Sequence, residues 1–151
     1  MFSLERTGLI IQRPEPGDIN GFKDYINTAA AATYQDLSIE LVREVTPSSG
    51  LCSKVCSKLM GILTGGMSIT QKEYFKSPMA HYFLIAYFDG KTWLIDPTYK
   101  QFILEEPKNK LPAVMIIELT DESTLIQQLH EHKIPERFHK VWIDTVREYL
   151  N

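Results

Sequence analysis

Cysteine is scarce in this sequence: the 151 residues contain two, Cys52 and Cys56, with no second pair for a four-cysteine zinc site and no CxxC spacing for a redox motif. A disulfide between them is disfavoured. On one helix, Cα atoms four residues apart lie about 6 Å from each other, but their Cα–Cβ bonds run parallel rather than converging as a bridge requires. Both are therefore read as free thiols in a reducing compartment.

Runs of one charge are missing as well. With a net charge of −3 and a pI near 5.8, the chain offers no basic stripe to neutralise phosphates, which argues against nucleic-acid binding. The longest apolar stretches, 79–88 and 112–119, are too short to span a bilayer. The opening Met-Phe-Ser-Leu-Glu-Arg-Thr lacks the ordered charged and apolar regions of a signal peptide. The expectation is a cytoplasmic protein, or one exported as an effector without a Sec signal. Gly61, Gly65 and Gly66 are followed by no Lys-Ser/Thr, so no phosphate loop is indicated. His130, His132 and His139, with Glu131 and Glu136, straddle the Lys133-Ile134-Pro135 break and form no HExxH helix, so the segment reads as solvated surface. No metal and no cofactor is expected.

What remains is an ordinary globular composition with no internal repeat and no linker, implying a single domain over 1–151. Asp18 caps a first helix running to about Thr33, and a second is expected from Gln35 to Val45, ended by Thr46-Pro-Ser-Ser-Gly50. Leu51, Cys52, Val55, Cys56, Leu59, Met60, Ile62 and Leu63 then form the apolar face of a buried helix closed by Gly65-Gly66. Ser48 or Ser49 can cap it, which places Cys52 in its first turn.

From Ala80 the period changes to that of strands, with His81 to Phe88 and Lys91 to Pro97 flanking Asp89-Gly90, a strong hairpin signal. Further strands are expected at Gln101 to Leu104 and Ala113 to Leu119, then a helix from Asp121 or Ser123 to His132 and another from Pro135 to about Leu150. Helices, then antiparallel strands, then helices indicate an α+β fold with helices packed against one sheet.

A two-residue turn at Asp89-Gly90 fixes the hairpin register so that Phe88 opposes Lys91 and Phe83 opposes Asp96. His81, Phe83, Ile85 and Tyr87 then share a face with Thr98, Asp96, Leu94 and Thr92, which makes Asp96 a diagonal neighbour of His81 within side-chain reach. A carboxylate beside an imidazole holds one tautomer and favours the imidazolium, leaving the other ring nitrogen for a thiolate. Cys52, at the positive end of a helix, is the thiol best placed to be that thiolate. Cys56, one turn further in among aliphatic neighbours, reads as a small core residue. Trp93 and Trp142 read as core aromatics.

The segments Gly50-Leu-Cys-Ser-Lys-Val-Cys56 and His81 to Phe102, with its Asp96-Pro-Thr-Tyr-Lys-Gln101 stretch, resemble the papain-like and transglutaminase-like cysteine enzymes. The likeness is greatest to bacterial effector proteases, protein-glutamine deamidases and papain-like toxin domains, and covers about a third of the chain. It implies Cys52 as nucleophile, His81 as general base and then acid, and Asp96 as the orienting acid. Its fold would pack helices against an antiparallel sheet with the nucleophile at a helix N-terminus. The expected function is acyl transfer from an amide of a protein or peptide substrate by hydrolysis, as a protease or glutamine deamidase. Transamidation by the same three residues, a non-catalytic protein-binding domain retaining the fold, and Cys56 as nucleophile in place of Cys52 are the alternatives. Papain-like proteases commonly carry an oxyanion-hole Gln shortly before the Cys. Here the nearest upstream Gln is Gln35, and no Trp follows Cys52.

Overall fold

The computed structural model describes residues 2–4, 9–11, 13–15, 17–41, 51–63, 67–77, 79–103 and 110–151. A short antiparallel pair, β1 (Phe2–Leu4) and β2 (Leu9–Ile11), precedes α1 (Ile19–Leu41) and α2 (Cys52–Leu63). Then come β3 (Ser68–Lys76), β4 (Met79–Phe88), β5 (Lys91–Asp96) and β6 (Met115–Glu118), followed by α3 (Glu122–Glu131) and α4 (Lys140–Val146). The last four strands form one antiparallel sheet in the order β3-β4-β5-β6. The class is α+β.

The hairpin has the expected register, with Phe88 opposite Lys91 and each pair inward to Leu84 opposite Ile95. Asp89 and Gly90 both take positive φ, 55° and 71°, which is the type I′ turn whose twist matches that of the flanking strands. Alternation along β4 and β5 then sends side chains to two different cores. Leu84, Ala86, Phe88, Trp93 and Ile95 meet Phe22, Ile26, Ala29 and Ala30 of α1 and Cys56, Leu59 and Leu63 of α2. Phe83, Ile85 and Leu94 face the opposite way, against Leu125 and Leu129 of α3 and Val141, Trp142 and Val146 of α4. Helices therefore cover both faces of the sheet. This explains why β4 reads as an almost unbroken apolar run rather than a polar–apolar alternation.

Several local expectations are corrected. The two helices anticipated between Asp18 and Val45 are one 23-residue helix as far as Leu41, with residues 42–45 outside the described residues. No Gly or Pro interrupts it after Gly21, and its buried face continues through Ala29, Ala32, Thr33 and Leu37. Thr33 and Ser38 return their hydroxyls to the carbonyls four residues back, at 2.9 and 2.8 Å, so neither breaks the helix. Asp18 does cap it, accepting from the Gly21 N–H at 2.9 Å.

The strand anticipated at Gln101 to Leu104 is instead a 3-10 helix over Tyr99–Phe102, with Leu104 outside the described residues. β3 carries little apolar signal because it is an edge strand with most of its side chains part-exposed or exposed. Asp121 caps α3 through the Thr124 N–H at 2.8 Å. The single helix expected from Pro135 is divided into a 3-10 turn (Glu136–Phe138), α4 and a second 3-10 turn (Arg147–Tyr149). Ser48, Ser49, Gly50, Gly65 and Gly66 lie outside the described residues.

A Cβ at Gly90 would meet nothing within 4 Å, so the strain of a substitution there comes from the backbone alone. Gly90→Ala is expected to lower unfolding free energy by about 1–2 kcal/mol, read from the urea midpoint, and Gly90→Asn to recover part of that loss because Asn tolerates the left-handed region.

Candidate active site

The ladder between β4 and β5 ends at Leu84–Ile95. Beyond that point Tyr82 and His81 have no ladder partner on β5, and the site is built at this end of the hairpin. Asp96, the last residue of β5, turns its carboxylate back under the strand end. Its Oδ1 accepts from the Thr98 N–H at 3.0 Å and from the Thr98 hydroxyl at 3.4 Å, closing an Asx turn across Pro97. The Tyr34 hydroxyl of α1 donates to the Pro97 carbonyl and fastens the same turn from the other side of the sheet.

Asp96 Oδ2 lies 2.7 Å from His81 Nε2, and both side chains are 0% exposed. The diagonal contact expected from the hairpin register is present. The same oxygen also accepts from the Trp142 indole N–H at 2.7 Å. Trp142 is thus more than core filling, and its place in α4, 46 residues downstream, gave no local signal of this bond. The imidazole is further walled by Phe83, by the edge of Phe102 at a ring-centroid distance of 4.8 Å, and by Trp142 at 5.7 Å. On its other nitrogen, Nδ1, the Gln101 amide nitrogen sits at 2.9 Å. Gln101, expected in a strand, reaches this position from the 3-10 helix that follows the Asx turn.

Cys52 is the first residue of α2 and is half-buried. Its thiol lies within the influence of the His81 ring and the Tyr82 backbone N–H. Burial alone would push it up, but those two groups, the charge on His81 included, outweigh burial and bring it below the ordinary thiol range. Cys56 is fully buried and donates its S–H to the Tyr82 carbonyl at 3.3 Å. Burial, then the charge of Asp96, pushes it far up, so it stays a thiol. Burial would likewise lower His81, yet the charge and hydrogen bond of Asp96, helped by Cys52, raise it to about 9. A raised imidazole and a lowered thiol that act on each other favour the same state, thiolate beside imidazolium.

The remaining sequence candidates lie elsewhere. Gln35 is exposed in the middle of α1. The histidine segment is not wholly surface: His139 is 5% exposed, hydrogen-bonds the Ile134 carbonyl at 3.0 Å and packs its ring against His130. Among the described residues there is no group of three or more His, Cys, Asp or Glu arranged to hold a metal. Nor is any helix among them long and apolar enough to cross a membrane.

Because the fold raises the His81 pKa, the stability this supplies is fully present below about pH 6.5 and is lost as pH rises through about 9. The stability difference between the wild type and Asp96→Asn should therefore be larger just below pH 6.5, where Asp96 is a carboxylate and His81 is charged, than above pH 9, as denaturant titrations at several pH values would show. Trp142→Phe keeps a ring but leaves Oδ2 one donor short, and should cost about 1–3 kcal/mol in the same measurement. In comparisons with known proteins, no family model, no curated protein and no solved structure matches this chain.

Proposed function

We propose that the protein is a cysteine-dependent acyl-transfer enzyme acting on an amide of a protein or peptide substrate, with Cys52 as nucleophile, His81 as general base and acid, and Asp96 as orienting acid. One observation carries this reading: a single buried imidazole bonds a carboxylate on one nitrogen and is shared by a helix-start thiol. Asp96 holds the hydrogen on Nε2 in either charge state, so Nδ1 is the nitrogen that exchanges a proton with sulfur.

In the reaction so assigned, the Cys52 proton passes to Nδ1 and the thiolate adds to the amide carbonyl. Its oxyanion is met by N–H groups at the start of α2. The C–N bond breaks as Nδ1 returns the proton to the departing amine. Water then attacks the thioester, giving one proton to Nδ1, and collapse of that adduct restores the Cys52 thiol and releases a carboxylic acid. Proteolysis and glutamine deamidation both follow this course, while transamidation replaces the water with an amine. The papain-like and transglutaminase-like resemblance, with its bacterial effector members, supports hydrolysis of a side-chain or peptide amide as the leading case.

The test is iodoacetamide alkylation at about pH 6, where an ordinary thiol is only about 0.3% ionised. Cys52 should react at least about tenfold faster than an unstructured peptide thiol, while Cys56 stays unmodified in the folded protein. A Cys52 rate equal to that of the free thiol would overturn the assignment. Rate against pH should rise below the ordinary thiol range, and Asp96→Asn should move that rise to higher pH.

A further inference from the structure

Nδ1 of His81 has one hydrogen-bonding direction; the Gln101 amide nitrogen sits on it at 2.9 Å, and the reaction proposed above gives the same nitrogen to Cys52. With Nε2 committed to Asp96, Nδ1 carries a lone pair in the neutral ring and a hydrogen in the imidazolium. The Gln101 carboxamide, 2.9 Å away, can serve either form, because turning the amide over exchanges an N–H donor for a carbonyl acceptor. Cys52 can serve only some of them. A thiolate accepts well from the imidazolium. A thiol is a weak partner to either form, and a thioester sulfur has no hydrogen to give.

We propose that Gln101 is a positioning residue for His81, the partner that Nδ1 takes in every state of the cycle except the thiolate–imidazolium pair. This rests on the acyl-transfer reading above. At low pH, with Cys52 a thiol and His81 charged, the Gln101 carbonyl accepts from Nδ1–H. At high pH, with His81 neutral, the Gln101 N–H donates to the lone pair. In the acyl-enzyme, where sulfur no longer holds the ring, the same N–H keeps the neutral imidazole in plane to receive the proton of the attacking water. Gln101 stabilises the states on both sides of the ion pair and therefore narrows the pH window in which the pair exists.

Among the described residues, the titratable groups facing this imidazole are few. Asp96 bonds it, Cys52 acts on it, and Tyr74 lies opposite it on β3. Cys56, Tyr34 and Tyr99 feel Asp96, and burial followed by that charge pushes all three up, keeping them neutral across the working range. Lys100, next to Gln101 in the chain, is drawn down by burial and is not among the groups that act on His81. The width of the window is therefore set by Asp96, Cys52 and Gln101.

Gln101→Met removes the amide while keeping the side chain's length. The experiment follows two midpoints in the wild type and this variant: Cys52 ionisation from the pH dependence of iodoacetamide alkylation, and His81 titration from imidazole NMR. The proposal expects the Cys52 midpoint to fall and the His81 midpoint to rise, each by about half to one pH unit, the value of one net hydrogen bond. Loss of packing alone would lower the melting temperature without moving the two midpoints apart. Phe102→Leu, which disturbs the ring edge and no hydrogen bond, provides that comparison. Unmoved midpoints, or a shift of both in one direction, would overturn the role given to Gln101. A wild-type Cys52 as slow as a free thiol, with His81 still shifting in Gln101→Met, would defeat the acyl-transfer reading while leaving the Gln101–His81 coupling in place.

Discussion

The fold converges on a carboxylate that has no contact with water. Asp96 is 0% exposed, and its two oxygens take four donors: His81 and Trp142 on Oδ2, the Thr98 backbone and hydroxyl on Oδ1. A buried charge costs several kcal/mol in lost hydration, on the order of what is lost when one partner of a buried pair is removed, so these donors are a condition of folding. They come from β4, from the turn after β5 and from α4, three regions that must be in register for the carboxylate to be tolerated. The hairpin register, the Asx turn and the docking of α4 on the sheet are thereby coupled through one side chain. A fourth region, α1, reaches the turn through Tyr34 and Pro97.

The same geometry separates two cysteines that sit one helical turn apart. β4 outruns β5, so the backbone of Tyr82 lies past the end of their ladder, and α2 takes up the vacated side. The Tyr82 N–H meets Cys52 and favours its thiolate, whereas the Tyr82 carbonyl accepts from Cys56 and favours its thiol. One residue's donor and acceptor therefore assign opposite protonation to two otherwise similar groups. Burial reinforces the division, since Cys56 is sealed in the α1–α2 core and Cys52 stands half-open at the helix start.

Parts of this arrangement could be read from the chain because they depend on local rules. Asp89-Gly90 dictates a two-residue turn, the turn dictates register, and register puts His81 beside Asp96. The first-turn position of Cys52 likewise follows from the apolar spacing of α2. Trp142 and Gln101 were opaque for the opposite reason. Each meets the site only after long-range packing or an unexpected turn has carried it there, and an indole or a carboxamide has no pattern by which its partner is recognised. The segment from Gln101 reads as a strand because Phe102 and Ile103 supply strand-like side chains, whereas the fold delivers Gln101 on a 3-10 helix. Closure of the Asx turn on Thr98, which Asp96-Pro97 allows locally, redirects the backbone into the 3-10 helix. β3 was missed because an edge strand with one open side needs few apolar residues. The break expected after Thr33 follows from the end of one apolar spacing and the start of another, while in the fold the buried face runs on through Thr33 and Leu37 in one helix.

The aromatic wall around His81 then follows from the two-sided burial of the sheet. A single covered face would leave the β4–β5 hairpin open to water on the side where His81 and Asp96 meet, and their attraction would be screened to about 1 kcal/mol. With α3 and α4 packed on that face, Phe83, Phe102 and Trp142 exclude water from the pair and deepen its interaction. Exclusion of water is also what makes any unpaired group there costly. The site must therefore hold a hydrogen-bond partner for every nitrogen and oxygen it buries, in each protonation state it visits. An imidazole with one nitrogen fixed on Asp96 and the other beside the Gln101 amide, which can donate or accept, meets that requirement with the residues the fold brings together.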